Sequence, residues 1–161
     1  MKPAIDLSKE YGLVFDARGA YQIGAWKALR EAGVKINAVA GTSVGALNGA
    51  LVCMGDVDTA EDIWRKMTFS TVMDVDDDWM ERLFQGEIGI KEFLEEGRKK
   101  LKDGGIDITP LRNLIHETID EEKIRSCGML FALLTFSVSD FKELDLSVED
   151  IPEGLLEDFL L

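Results

Sequence analysis

Apolar positions at the front of the chain predict a strand–helix–strand–helix order. Residues 11–15 (YGLVF) are apolar, partly aromatic and bounded by polar or turn residues, which predicts a short buried strand, the first central one of a sheet. Over about residues 20–32, Ile23, Trp26 and Leu29 recur near helical spacing, Lys27, Arg30 and Glu31 lie off that stripe, and Gly33 supplies a C-terminal stop. Residues 34–40 (VKINAVA) alternate into a second strand. Residues 44–54 are apolar or small almost all round, and a helix without a polar face is a buried helix. Gly45, Ala46, Gly49 and Ala50 leave little side-chain bulk, so that helix can lie close against a sheet. The βαβα order with short connections predicts an α/β layer fold whose opening strands run parallel.

The middle of the chain predicts helices over residues 60–67, 73–84, 88–102 and 110–119, the last capped by Thr109 with Pro110 at its first position. These helices are expected to cover one side of the sheet. Trp64, Trp79 and Phe84 fall on helical stripes and read as core or lid packing. Residues 129–138 predict a central strand, and 141–146 its partner across the Ser139-Asp140 turn. Residues 155–161 read as an apolar helical segment. Its ending on Phe159-Leu160-Leu161 calls for more chain to bury it, so the expectation is one domain over 1–161 that continues beyond Leu161.

Composition and charge narrow the function classes. A chain of 161 residues with 46% hydrophobic residues has room for one core and shows no internal repeat. With 31 acidic against 18 basic residues, the net charge of −13 repels phosphate backbones and excludes a nucleic-acid reader. The same charge opposes attraction to anionic membranes but leaves room for a local apolar rim to touch lipid peripherally. Cys53 and Cys127 form no CxxC and sit in apolar surroundings, as small buried hydrophobes in a reducing compartment. Charged residues occupy the start of the chain where a signal peptide needs its apolar stretch, and the longest apolar run is too short to span a bilayer. The expectation is a cytoplasmic protein.

The candidate chemistry lies in Gly41-Thr42-Ser43-Val44-Gly45, a G-x-S-x-G between a predicted strand and a predicted buried helix. In that context the serine occupies a strained turn that its flanking glycines leave uncrowded. Its hydroxyl is exposed at the sheet edge, backed by the positive end of a helix. The competing structural reading makes Ser43 an ordinary helix cap in a Gly-rich turn.

Two linked stretches, residues 13–24 (LVFDARGAYQIG) and 38–48 (AVAGTSVGALN), resemble the patatin-like phospholipase family, and Asp107-Ile108-Thr109-Pro110-Leu111 resembles a weaker landmark of it. The resemblance implies a three-layer α/β/α sandwich and a Ser–Asp dyad that hydrolyses lipid acyl esters, with Ser43 as nucleophile and neither cofactor nor metal. It also implies an oxyanion-hole region at Arg18 and Gly19. The sequence departs from the family twice. Only Arg18-Gly19-Ala20 remains of the glycine-rich run that follows the family's first strand, with Asp16 joined directly to Ala17. The one Asp-Gly-Gly, Asp103-Gly104-Gly105, follows a charged helix and reads as a helix stop, so the dyad aspartate is expected beyond Leu161.

Other candidates rank lower. Ser43, Asp103 and His116 follow the chain order of an α/β-hydrolase triad, yet too few strands precede Ser43, and His116 lies in a predicted helix as a surface residue. Asp74, Asp76, Asp77 and Asp78 lack the central glycine and later glutamate of a calcium loop and read as an acidic helix start. A nucleotide-binding reading lacks G-x-G-x-x-G after the first strand. The first expectation is thus a serine acyl-hydrolase, and the alternative is a non-catalytic patatin-like module that binds lipid or a partner.

Overall fold

The computed structural model describes residues 5–16, 18–72, 76–78, 82, 85, 87, 107–137 and 140–161. They divide into two units, one of Met1–Arg65 with Ile119–Leu161 and one of Lys66–Thr118.

The first unit is built on a sheet whose order follows the chain: β1 (Glu10–Phe15), β2 (Lys35–Thr42), β3 (Leu130–Ser137) and β4 (Lys142–Ser147). β1 pairs with β2 and β2 with β3 in parallel, while β4 returns antiparallel to β3. This mixed sheet flanked by helices is the α/β architecture that the hydrophobic pattern predicts. Strand alternation separates the faces. Val39, Phe131 and Leu133 are fully buried on one face, whereas Val14, Leu130 and Leu134 of the other are exposed.

The first two helices, α1 (Ala20–Glu31) and α2 (Val44–Met54), follow β1 and β2. α1 buries Ile23 and Trp26 and ends where Gly33 takes a positive φ of 75°. The Gly33 N–H then donates to Arg30 O and the Val34 N–H to Leu29 O, each at 3.0 Å, satisfying two terminal carbonyls. α2 is buried from Gly45 to Cys53. It reaches the sheet through Gly49, where a Cβ would stand 2.7 Å from the Phe131 ring and 3.1 Å from a Val39 methyl. The small residues of this helix are therefore a packing requirement.

α3 (Val57–Lys66) follows, and the Lys27 ammonium of α1 donates to the Glu61 carboxylate of α3 at 2.8 Å. In the second unit, α4 (Phe69–Val72) packs on α5 (Thr109–Thr118). The start of α5 differs from the sequence expectation. The Asp107 carboxylate accepts from both the Thr109 N–H (2.8 Å) and the Thr109 hydroxyl (2.6 Å), so Thr109 enters the helix instead of capping it. The predicted helices over 73–84 and 88–102 lie largely or wholly outside the described residues, as do Asp103, Trp79 and Phe84.

Back in the first unit, α6 (Glu121–Ser126) is capped by Asp120, whose carboxylate accepts from the Lys123 N–H at 3.0 Å. Arg125 on α6 donates to Val148 O (2.7 Å) and Ile151 O (2.8 Å), and Glu121 accepts from the N–H groups of Gly154 and Leu156. These bonds hold the segment after β4, including α7 (Leu156–Leu160), onto α6. Cys53 is buried and Cys127 half-buried, both free thiols. Burial, with Cys127 nearby, holds the Cys53 thiol well above the usual thiol range, which suits an unreactive packing residue.

Candidate active site

β1 and β2 end side by side, with Phe15 in register with Gly41, so Asp16 and Ser43 emerge from the same carboxyl edge of a parallel pair. That edge is where open α/β sheets place ligands. Ser43 makes the turn from β2 into α2 with φ 52° and ψ −130°, a conformation rare for a residue with a Cβ. An ordinary capping serine has extended backbone and gives its oxygen to an N–H of the first turn. Ser43 does neither. Its side chain makes no capping hydrogen bond, and the residue is exposed at the head of α2.

The flanking glycines are fixed by close backbone approach. A Cβ on Gly41 would collide with the carbonyl of Gly45 across the turn. A Cβ on Gly45 would lie 2.5 Å from both the carbonyl carbon and oxygen of Phe15 and 2.9 Å from Asp16 N. Each distance is shorter than real Cβ contacts allow, so G-x-S-x-G here records a turn wedged against the end of β1. Arg18 and Gly19 lie in the short link from β1 to α1. Gly19 precedes α1 with φ 49°, and the Trp64 ring covers it so closely that a Cβ would stand 2.6 Å from a ring carbon. The exposed Arg18 side chain lies 3.6 Å from the Asp16 carboxylate, and the Arg18 N–H donates to Asp16 Oδ1 at 3.1 Å. Among the described residues the N–H of Gly19 has no acceptor.

A buried polar chain that sequence reasoning missed ties this link to α2. Asn48, 0% exposed, donates through Nδ2 to Gly19 O and to Gln22 Oε1, both at 3.0 Å, and accepts from the Trp64 indole N–H at 2.8 Å. Gln22 passes the bond on from Nε2 to Asp16 Oδ1 at 2.9 Å. The signal was present, since Asn48 is the single polar residue in the run 44–54, and a buried amide demands partners.

The model of the patatin-like phospholipase family matches residues 17–161. The chain belongs to this family. Local similarity points the same way. A lysophospholipase of Aspergillus terreus is 60% identical over 35 residues, which are 22% of this chain and 2% of that protein. Neuropathy target esterases of Drosophila persimilis and Drosophila grimshawi are each 60% identical over 37 residues, 23% of this chain and 3% and 2% of theirs. The chain thus covers a few percent of the length of these relatives. No solved structure matches.

Of the remaining candidates in this patatin-like chain, the structure describes His116, Asp76, Asp77 and Asp78. His116 is an exposed residue of α5, as its helical position predicted. Asp77 is occupied by Ser70, accepting from its N–H at 2.8 Å and its hydroxyl at 2.7 Å, while Asp74 and Asp103 lie outside the described residues. Among the described residues no cluster of His, Cys, Asp and Glu is arranged to hold a metal ion, and no helix is long and apolar enough to cross a membrane.

Proposed function

We propose that the chain carries the nucleophile-bearing part of a patatin-like serine acyl-hydrolase, with residues 1–161 belonging to one catalytic domain. The family match, which runs through both units, supports the single domain. The observation that carries the function is the backbone of Ser43. A non-glycine residue at φ 52° whose hydroxyl caps nothing holds a strain of about 1–3 kcal/mol that structural capping does not require. A turn that presents an exposed hydroxyl at the head of a helix accounts for it.

In this reading Ser43 Oγ attacks the carbonyl carbon of a lipid acyl ester while a general base, by family resemblance a dyad aspartate, takes its proton. The alkoxide of the alcohol leaves with that proton, the acyl group stays on Ser43, and water releases it as the carboxylic acid, restoring the hydroxyl. The positive head of α2 and the Gly19 N–H, with Arg18 beside it, supply the field for the oxyanion. The relatives' names suit a lysophospholipid or similar ester as substrate. We place its use in the cytoplasm, at a peripheral contact with a membrane. Ester turnover by the full-length protein is expected to disappear in Ser43→Ala at unchanged folding. Turnover that persists in this variant overturns the reading.

A second reading, a non-catalytic module that binds an acyl chain or a partner, draws on the link after β1. Its Arg18 N–H is already taken by Asp16, and Gly19 is its single glycine. Equal fatty-acid binding by wild type and Ser43→Ala, with no turnover by either, would favour this module.

A further inference from the structure

The contacts of α2 with the link between β1 and α1 fall on one helical face. Gly45 and Asn48 are three residues apart and so lie one above the other on α2. Gly45 meets the start of the link, at Phe15 and Asp16, by backbone approach. Asn48 meets its end, at Gly19 O, by a hydrogen bond. The helix that begins after Ser43 therefore grips both ends of the segment at the oxyanion side of the elbow.

The polarity of this grip admits one arrangement. The indole of Trp64 can only donate, so Asn48 presents Oδ1 to it, and both hydrogens of Nδ2 are left for Gly19 O and Gln22 Oε1. Gln22, having accepted, turns Nε2 to Asp16, a carboxylate that can only accept. Asp16 Oδ1 also receives the Arg18 N–H. One buried amide thus holds the Gly19 carbonyl directly and, through Gln22, the Asp16 carboxylate that accepts the Arg18 N–H. The peptide plane that carries the Gly19 N–H lies between these two anchored groups, the Arg18 N–H on one side and the Gly19 carbonyl on the other, so it is restrained from both ends.

We propose that Asn48 is a positioning residue for acyl transfer, and that Gln22 is its relay. Together they set the Gly19 end of the link so that its N–H, which has no acceptor among the described residues, faces the oxyanion formed at Ser43. The inference rests on Ser43 being the nucleophile. It assigns to a residue with no access to substrate a share of the transition-state geometry.

Steady-state hydrolysis of a short-chain p-nitrophenyl ester by the full-length protein tests it, with thermal melting measured alongside. Asn48→Asp keeps the size of the side chain and the acceptor for Trp64 but turns the two donated bonds into contacts between acceptors. It is expected to lower kcat by about 100-fold, the scale of a lost oxyanion donor, with KM changed less than about 3-fold. Arg125→Lys, remote from the link, serves as the stability control and is expected to lower melting while leaving kcat unchanged. Gln22→Glu is less buried and decides the matter if Asn48→Asp does not fold. Its carboxylate opposes Asp16 when ionised and donates to it when protonated, so kcat relative to wild type should rise as pH falls. Folded Asn48→Asp with kcat within about 3-fold of wild type, or a Gln22→Glu to wild-type ratio that is flat with pH, overturns the positioning role and leaves the nucleophile intact. Absence of any wild-type turnover that Ser43→Ala abolishes removes the nucleophile reading and this inference with it.

Discussion

In the proposed reading Ser43 carries two opposing demands. Its turn favours glycine, since φ 52° crowds a Cβ, while the proposed hydrolysis needs the hydroxyl that only a side chain supplies. Replacing it separates the two. Ser43→Ala keeps the strain and loses the hydroxyl, whereas Ser43→Gly loses both, so Ser43→Gly is expected to be more stable than Ser43→Ala by about 1 kcal/mol in urea unfolding. Equal stability of the two would mean that the turn is relaxed. Much of this site was legible in the sequence because glycine is informative where backbones touch. The motif gave the position of Ser43, and the collisions a Cβ would make at Gly41 and Gly45 explain its form. The pairing of Asn48 with Gln22 was not legible, because 26 residues separate the two amides and their meeting depends on how α1 packs on α2.

Among elements, α2 tolerates least change. A Gly45→Ala methyl would press on the Phe15 carbonyl, which is backbone and cannot rotate away, so the variant should lose about 3 kcal/mol or fail to accumulate folded. Wild-type stability in Gly45→Ala would contradict the close approach of α2 to β1. Among the described residues, strands and long helices were predicted from periodicity with ends within three residues, the largest difference being the start of α3 at Val57 instead of Ala60. The six-residue α6 was missed, since Glu-Glu-Lys-Ile-Arg-Ser offers one apolar residue, Ile124, and hence no period. Its helix instead depends on the Asp120 cap and on the bonds of Arg125 to carbonyls after β4. Arg125→Ala leaves Val148 O and Ile151 O without that donor and should cost about 2 kcal/mol by chemical denaturation, with no loss of ester turnover per folded molecule.

At the scale of the whole molecule, two charge effects set the response to pH. The excess of acidic residues, net −13, repels itself at neutral pH, so added salt should raise the melting temperature. Acid relieves that repulsion but attacks the caps. Hydrogen bonds from Thr109 hold Asp107 below the usual carboxylate range, those from Ser147 do so for Asp150, and the Lys123 N–H leads the same effect at Asp120. At Glu121 burial pushes upward, but Arg125 and the N–H groups of Gly154 and Leu156 outweigh it and the net shift is downward. Because each folded value is depressed, this stabilisation is complete above the ordinary carboxylate pKa and is lost as pH falls through the lowered values. Melting temperature should therefore hold or rise as pH falls from 7 toward about 5 and drop below about 4. A monotonic rise down to pH 3 would show that the caps contribute nothing.

The most direct test of the account is to treat the full-length protein with a fluorophosphonate and map the adduct by peptide mass spectrometry. One phosphonylated residue is expected, Ser43, with labelling lost in Ser43→Ala and in heat-denatured protein. An unmodified Ser43 peptide under conditions that label a control serine hydrolase, or an adduct at a different serine, would contradict it.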